Sequence, residues 1–343
     1  MEIEKKKKKN FKYFVGIDVS KNELDYAVIL GKELLFHQEG ENQPKAITEF
    51  MRKLRALPGF TFAKSMFCME NTGFYCNHLL RILRTKKAFV VLENPLQIKN
   101  SIGIIRGKND KDDAIRIAMY AQKNSEELRQ WVPKRTVVSN LNNLLTIRER
   151  LTRVAIALRM PLNEQEYFID RNQSKLYGKL CGNGINAVKL DIKEVDLNIK
   201  ELINADEDLK KLNAIITSVP CVGAITAMQM IITTNEFKDI RCAKKFACYA
   251  GVAPFKKESG LITRKARVSH LANKNMKSLL HLCALSAVRF DKELRNYYER
   301  KTLTEGKSKM LVINAVRNKL IARIFACVNQ DRHFQKDYLR SKA

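Results

Sequence analysis

Acidic residues are scarce in this sequence. The chain has 36 Asp and Glu residues against 63 Lys and Arg, which gives a formal net charge of +27 and a sequence pI near 9.8. An excess of this size excludes an acid-rich protein and indicates a polyanionic partner. Nucleic acid is the leading candidate. The tract KKKKK at 5–9 belongs to a basic arm, 1–11, that we predict to be disordered.

Long apolar runs are absent as well. No run approaches the roughly 20 residues that a membrane-spanning helix needs, and no signal peptide precedes the first predicted strand. A membrane surface would attract the positive charge, but nothing in the sequence would span a bilayer. We therefore expect a soluble intracellular protein with no membrane partner.

Paired cysteines and closely spaced histidines are also missing. The eight cysteines include no C-x-x-C pair, and the five histidines show no metal-ligand spacing. These absences argue against a disulfide framework and against a zinc site. Most of the cysteines lie within apolar runs, so we interpret them as reduced core residues.

The apolar pattern divides the rest of the chain into three regions. Residues 12–135 alternate between strand and helix patterns, which predicts a mixed sheet flanked by helices. Residues 136–205 carry apolar positions three and four apart, as in two long helices joined by a Gly-containing turn at 178–186. Packing within one chain and dimerisation through this connector both fit the pattern. Residues 206–335 predict a compact, mostly helical domain.

Two predicted strands end in acids. Asp18 follows the apolar run that opens GIDVSKNELDYAVI, a predicted β-hairpin, and Glu70 closes MFCME. In RGKNDKDDA, Asp110 and Asp113 stand three residues apart at the start of a helix, so their carboxylates share one face. Acids at a helix N-terminus also complement its dipole. Taken alone, that structural interpretation is sufficient for the pair.

The combination of four such acids in a basic protein indicates more. Carboxylates that converge on one point repel each other unless a divalent cation lies among them, and oxygen ligands suit Mg²⁺ or Mn²⁺. Such a site can activate a nucleophile and stabilise a leaving oxygen in phosphodiester chemistry.

Several motifs carry a resemblance to a known family. They are GIDVSKNELDYAV, ENTGFY, NPLQIKN with GKNDKDDAIRIA, and SVPCVG with FACYAGVAPFKKESG. In this order they resemble the DEDD transposases of bacterial insertion-sequence family one-ten, which includes Piv-type DNA invertases and bridge-RNA-guided recombinases. The resemblance implies an α/β RuvC-like domain of RNase H type, a helical coiled-coil connector and a mostly α-helical C-terminal transposase domain. It also implies that Asp18, Glu70, Asp110 and Asp113 bind Mg²⁺.

A serine in the second half stands in a basic loop. By sequence alone, a phosphate-binding role suits Ser259 better than nucleophilic attack. The resemblance reverses this order, because the family carries its recombination serine in the same SG context, and it implies a covalent phosphoserine link to DNA. The residues expected to contact nucleic acid are Arg106, Lys108, Lys256, Lys257, Arg264, Lys265 and Arg267.

The same resemblance extends to partners. It implies donor and target DNA, a bridge RNA bound mainly by the first domain and the connector, a homodimer that pairs into a tetramer, and a location in the bacterial cytoplasm, at the nucleoid when DNA-bound. Three rivals stay open: a guide-independent Piv-type invertase, a RuvC-like Mg-dependent nuclease, and a non-enzymatic binder of nucleic acid.

Two positions depart from the family pattern. Cys221 stands in a predicted helix-hairpin-helix turn, TSVPCVGAITA, where the family usually has glycine. A glycine there would let backbone N–H groups approach a phosphate, and a plain helical turn fits the sequence equally well. Ala272 and Lys277 replace a glycine and an arginine that are commoner in the family.

Overall fold

The computed structural model describes residues 10–102, 109–165, 168–259, 262–269 and 271–336. Within these ranges, residues 102, 165, 256–259 and 262–265 are described by their backbone alone. The chain divides into two compact units, residues 1–133 and 134–343.

The first unit alternates strands and helices, as the sequence predicts. Its strands are β1 (Tyr13–Val19), β2 (Glu23–Leu30), β3 (Glu33–Glu41), β4 (Ser65–Glu70) and β5 (Phe89–Glu93). Its helices are α1 (Pro44–Arg55), α2 (Asn77–Thr85), α3 (Pro95–Ile102) and α4 (Asp110–Lys123), with short 3₁₀ turns at Phe62–Lys64 and Gly73–Cys76.

The five strands form one mixed sheet in the order β3-β2-β1-β4-β5. The predicted hairpin is confirmed, because β1 pairs antiparallel with β2 from Tyr13↔Leu30 to Val19↔Leu24. On its other side β1 runs parallel to β4, and β4 runs parallel to β5. The carboxyl ends of three neighbouring strands therefore meet at one edge of the sheet.

Each face of the sheet is buried in a separate core. One core joins alternate residues of β1 with α1 and α2, and Tyr26 stacks there on Phe50 with ring centroids 3.7 Å apart. The opposite core joins the intervening residues with α4. The sheet sandwiched by helices agrees with a RuvC-like domain.

Helix α4 lies directly on β1 at a glycine. A Cβ added at Gly16 would lie 2.2 Å from the amide nitrogen of Ala118 and 2.3 Å from the carbonyl oxygen of Ala114. No side chain fits at such distances without moving backbone. Gly16 therefore sets how closely the N-terminal half of α4 approaches the end of β1.

The second unit is mostly helical and contains one hairpin. Its helices are α5 (Thr136–Gln165), α6 (Arg171–Asn204), α7 (Glu207–Thr217), α8 (Ala224–Thr234), α9 (Ala243–Tyr249), α10 (Lys274–Phe290), α11 (Lys292–Glu299) and α12 (Lys309–Asn329), with a π-helical turn at Arg300–Thr304. The strands β6 (Pro254–Ser259) and β7 (Ile262–Val268) pair antiparallel. Among the described residues, no helix is long and apolar enough to cross a membrane.

Helices α5 and α6 pack against each other along the predicted stripes. Leu141 and Ile199 are buried in the core of the second unit. Arg148, which interrupts the first stripe in the sequence, pairs across the hairpin with Asp196, its Nε donating to Oδ1 at 2.6 Å. The polar interruption is thus an interhelical ion pair.

The predicted turn at 178–186 is wrong. The three glycines of that segment lie inside α6, which begins at Arg171 after its cap residue Asp170. A Cβ at Gly184 would be in ordinary contact with Leu158, 3.8 Å away. Each helical glycine costs about 1 kcal/mol relative to alanine, and packing of α6 on α5 offsets that cost.

Candidate active site

The candidate site lies where β1 ends beside the N-terminus of α4. Asp18 is the last but one residue of β1, and its Oδ1 accepts a hydrogen bond from the Val19 amide at 3.0 Å. It stands two positions after Gly16, so its side chain points to the same face, toward α4.

Helix α4 brings two acids to Asp18. Asn109 caps this helix by accepting a hydrogen bond from the Lys111 amide at 3.2 Å, so neither Asp110 nor Asp113 is the cap residue. The carboxylates of Asp18, Asp110 and Asp113 offer oxygen atoms that all lie within 4.8 Å of one another. That spacing suits one cation held by oxygen ligands.

The electrostatics of this group also favour a cation. Burial raises the pKa of the Asp18 carboxyl above its usual range, and the negative charges of Asp113 and Asp110 raise it further. Arg116 is the one cation bonded to the group, since its Nη1 donates to Asp113 Oδ1 at 2.6 Å among the described residues. The three carboxylates therefore fit a divalent metal by both donor type and charge.

Glu70 ends the neighbouring strand. The β1–β4 register runs to Ile17↔Met69, so Glu70 stands beside Asp18 at the same edge and on the same face. In the part of the chain that the structure describes, Glu70 does not belong to the three-residue group. The structure thus brings three of the four predicted acids together and places the fourth on the adjacent strand end.

The strand register extends this edge into a row of acids. Asp18 pairs with Asp25 of β2, Asp25 pairs with Glu39 of β3, and Glu70 pairs with Glu93 of β5. Every strand of the sheet therefore places one carboxylate in the row. Of the five acids in this row, the sequence predicted only Asp18 and Glu70 as site residues.

Two of the additional acids have their own partners. Asp25 is buried and its Oδ1 lies 2.8 Å from His37 Nε2, and these two residues with Glu39 form a second group of close ligand atoms. Glu93 accepts a hydrogen bond from the Tyr120 hydroxyl at 3.2 Å, and the pKa of Tyr120 is raised by burial and by this carboxylate. The apolar run before Glu93 was the available sequence signal, because it repeats the pattern of a strand that ends in an acid.

Ser259 is the last residue of β6 in the second unit, where its backbone pairs with Ile262. The sequence did not predict this hairpin. For Ser259, Lys256, Lys257, Arg264 and Lys265 the structure describes only the backbone, and the five roles stay predictions. Arg267 lies on β7 and is exposed. Arg106 and Lys108 lie outside the described residues.

The predicted helix-hairpin-helix turn is a turn between α7 and α8. Cys221 lies within it at a φ of 67°, a left-handed backbone conformation that favours glycine. A glycine at this position would therefore adopt the turn without strain. Contact of this turn with DNA stays a prediction.

Two family models match the chain, the first over nearly all of the first unit and the beginning of the second, and the other wholly within the second unit. Residues 15–164 match a DEDD model of IS110 type described as Transposase. Residues 213–299 match Transposase IS116/IS110/IS902 family. The first span contains the candidate acids and the second contains the β6–β7 hairpin.

Similar proteins extend these matches. The chain is 26% identical to the Pilin gene-inverting protein of Moraxella bovis over 329 residues, which cover 95% of this chain and 98% of that protein. The Pilin gene-inverting protein of Moraxella lacunata matches over the same shares at 26% identity. An insertion element IS110 43.6 kDa protein of Streptomyces coelicolor is 27% identical over 39% of this chain and 33% of its own length.

These findings identify an enzyme of the DNA transposase and recombinase class. More particularly, the chain carries both transposase domains of the IS110 family and is homologous to the pilin gene-inverting proteins. A DEDD transposase domain indicates dependence on a divalent metal, and the group of Asp18, Asp110 and Asp113 is the acidic cluster that suits it.

Proposed function

We propose that this enzyme cuts and rejoins DNA through a covalent phosphoserine link at Ser259, with help from Mg²⁺ or Mn²⁺, and that it moves its own insertion element. The observation that carries the proposal is the gathering of Asp18, Asp110 and Asp113 within 4.8 Å at the sheet edge. Such a group is costly in a folded protein unless it serves a cation.

In this proposal the four acids share one role, and two neighbouring groups hold two of them in place. Asp18, Asp110, Asp113 and Glu70 would hold the ion, which when bound supplies positive charge to a phosphoryl group under attack. Arg116 holds the Asp113 carboxylate in one orientation through its hydrogen bond, and the Val19 amide does the same for Asp18. Both contacts reduce the reorganisation that substrate binding would require.

The covalent step is a transesterification. Ser259 Oγ forms a bond to phosphorus and loses its proton, while the bond from phosphorus to the leaving deoxyribose oxygen breaks and that oxygen takes up a proton. Bond number and charge are conserved, so no external energy source is needed to rejoin the strand. A serine hydroxyl is a weak nucleophile near neutral pH, which is why activation by a base or a metal is part of the proposal.

The nucleic-acid contacts follow from charge. The hairpin that contains Ser259 also contains five basic residues, Lys256, Lys257, Arg264, Lys265 and Arg267. Lysine and arginine contacts to phosphate fix the register of DNA without reading its bases. We propose the same role for Arg106 and Lys108, which precede Asp110 in the sequence.

We further propose that a bridge RNA selects donor and target DNA, and that a homodimer pairs into a tetramer in which acids and serine come from different protomers. The net charge of +27 supports simultaneous binding of two nucleic acids, because phosphate contacts are independent of sequence.

Guide-independent DNA inversion is the second candidate. It is favoured by the similarity to the Moraxella bovis Pilin gene-inverting protein along 95% of this chain. Sequencing of RNA that copurifies with the protein separates the two candidates. A discrete transcript from the element's flank supports guidance, and its absence supports inversion without a guide.

A recombination assay tests the proposed chemistry. Wild type is compared with Asp18→Ala and Ser259→Ala, with and without the flanking transcript, and both variants should lose all product. Asp112→Asn is the matched control, because Asp112 lies in the same helical turn but is not one of the three close carboxylates found among the described residues. Full activity in Ser259→Ala would remove the covalent step, and cleavage without adducts would indicate a nuclease.

A further inference from the structure

A buried arginine in the second unit has no acid among its partners in the part of the chain that the structure describes. Arg317 of α12 keeps only 5% of its surface exposed. Its hydrogen-bond partners in the described part of the chain are Asn314 of the same helix and His281 of α10, and neither is a carboxylate. A buried guanidinium without a counter-charge costs several kcal/mol.

The guanidinium uses few of its donors. Nη1 donates to Asn314 Oδ1 at 3.3 Å and Nη2 donates to His281 Nδ1 at 2.6 Å. Nε is buried and has no hydrogen-bond partner among the described residues. Since a guanidinium carries five N–H groups, most of its donor capacity is unused by these two bonds.

Two other arginines of the same unit are paired with carboxylates. Arg135 donates to Asp206 and to Glu236, with contacts of 2.8 Å and 2.9 Å. Arg323, which is on α12 with Arg317, donates to Asp291 at 2.7 Å and also to Glu293. On α12, Arg323 therefore bonds to carboxylates, whereas Arg317 has none among its partners in the described residues.

Arg317 is connected through hydrogen bonds to the β6–β7 hairpin, which we call the serine hairpin because β6 ends at Ser259. Asn314, which accepts from Arg317, donates its Nδ2 to the carbonyl oxygen of Val252 at 2.7 Å. Val252 stands two residues before β6, the strand that ends at Ser259. The root of the hairpin is thus hydrogen-bonded to the helix that carries the uncompensated charge.

Helix α10 adds two more groups at this root. Lys277 approaches the hairpin at Gly251, where an added Cβ would lie 3.6 Å from Lys277 Cδ. His281 follows one turn later on α10, and its Nδ1 must accept because arginine only donates. Its ring proton therefore resides on Nε2, so the neutral ring offers one N–H donor of its own beside the arginine. Burial and the Arg317 charge both lower the pKa of His281, which keeps the ring neutral.

We propose that Arg317, together with Lys277 and His281, binds a backbone phosphate of the DNA strand that the serine hairpin handles. The phosphate supplies the negative charge that the described residues around Arg317 lack. A guanidinium edge matches two phosphate oxygens in a bidentate contact. This proposal rests on the proposed function for the identity of the ligand, but the anion site itself is independent of the serine chemistry.

Thermal unfolding of the full-length protein with inorganic phosphate tests the anion site. Wild type, Arg317→Gln and the matched control Arg323→Gln are titrated with phosphate at constant ionic strength. We expect a saturable rise of about 4 °C in wild type and in Arg323→Gln at a hundredfold excess over half-saturation. Arg317→Gln should show no saturable rise. Equal shifts in all three proteins would overturn the proposal, since phosphate also stabilises proteins through exclusion from their surface.

The stability of Arg317→Gln without phosphate tests whether the role of Arg317 is purely structural. Removal of an uncompensated buried charge should leave the midpoint temperature of thermal unfolding unchanged or raise it. A midpoint several degrees below that of wild type would contradict the proposal. Duplex DNA is the second ligand in this test. We expect Arg317→Gln to bind it at least tenfold more weakly than wild type does. If Arg317→Gln loses the phosphate response but keeps its DNA affinity, the site binds free phosphate only. Loss of Ser259 adducts with a normal phosphate response would instead overturn the proposed function alone.

Discussion

Gly16 of β1 lies directly against Ala118 of α4, so close that a Cβ on the glycine would stand 2.2 Å from the alanine amide nitrogen. This contact fixes the distance between a strand and a helix that each carry part of the acidic group. The candidate metal site therefore depends on a residue that has no functional group.

Gly16→Ala should force α4 away from β1. Overpacking of this kind costs about 1–3 kcal/mol, and separation of Asp18 from Asp113 should also abolish stabilisation by Mg²⁺. Urea unfolding with and without Mg²⁺ measures both effects. Gly40→Ala is the control, because its Cβ would meet only Tyr26 at an ordinary 3.6 Å, and it should keep the Mg²⁺ response. A full Mg²⁺ response in Gly16→Ala would contradict this account of the site.

The raised pKa of Asp18 predicts a pH dependence of stability. Burial, followed by the charges of Asp113 and Asp110, raises this pKa, so the favourable contribution of the protonated group is lost as pH rises through the folded-state value. Without metal, Asp18→Asn should be more stable than wild type at about pH 7, and the difference should shrink toward the ordinary pKa of Asp, about 4.

Added Mg²⁺ should reverse that order. Wild type gains stability from the ion and Asp18→Asn does not, because the variant lacks a charged ligand. Asp112→Asn, an exposed neighbour, should follow wild type with and without the ion. An Asp18→Asn protein that is less stable than wild type without metal at neutral pH would contradict the electrostatic argument.

The turn between α7 and α8 predicts a stabilising substitution. Cys221 adopts a φ of 67°, which costs a residue with a Cβ roughly 1–2 kcal/mol. Cys221→Gly should therefore raise the free energy of unfolding by about 1 kcal/mol over Cys221→Ala, which keeps the Cβ and removes the thiol. Equal stability of the two variants in urea unfolding would show that the turn is not strained at this residue.

An ion-pair node holds the beginning of α5. Arg135 donates to Asp206, the cap residue of α7, and to Glu236, which follows α8. Arg135→Met should destabilise the protein by about 3 kcal/mol, because it leaves the Glu236 carboxylate buried without this partner. Thermal or urea unfolding measures the loss, and Arg52→Met on the exposed face of α1 is the control with little expected effect.

The same node sets an acid limit on stability. Hydrogen bonds from Arg135 and from the Leu209 amide hold the pKa of Asp206 below its usual range. Its contribution is therefore present above the ordinary pKa of Asp and is lost as pH falls through the lowered value. The penalty of Arg135→Met should shrink in acid, and a penalty that is constant with pH would count against this assignment.

The sequence was sufficient to predict the five strands of the first unit and the helices α1, α2 and α4, but not α3. Alternating and three-four apolar spacing marks its strands and amphipathic helices, and Asp18 and Glu70 stand out as acids that end apolar strands. Asp110 and Asp113 are predictable as a pair because helical geometry fixes residues three apart. Local periodicity carries all of this information.

What the sequence did not predict depends on register and on tertiary packing. The row from Glu39 through Asp25 to Glu93 appears only when strands are aligned, and alignment is set by contacts distant in sequence. The glycines inside α6 suggested a turn because their local preference is overridden by packing on α5. The β6–β7 hairpin is highly polar, so it lacks the apolar alternation that marks a strand.

The covalent link is the most direct test of the central claim. Full-length protein is incubated with element DNA, the flanking transcript and Mg²⁺, then denatured and digested with protease. The peptide that carries phosphate is identified by mass spectrometry. Our account predicts a phosphoserine at Ser259 in wild type and no adduct in Asp18→Ala or after removal of Mg²⁺. Strand cleavage without an adduct, or an adduct on another residue, would contradict it.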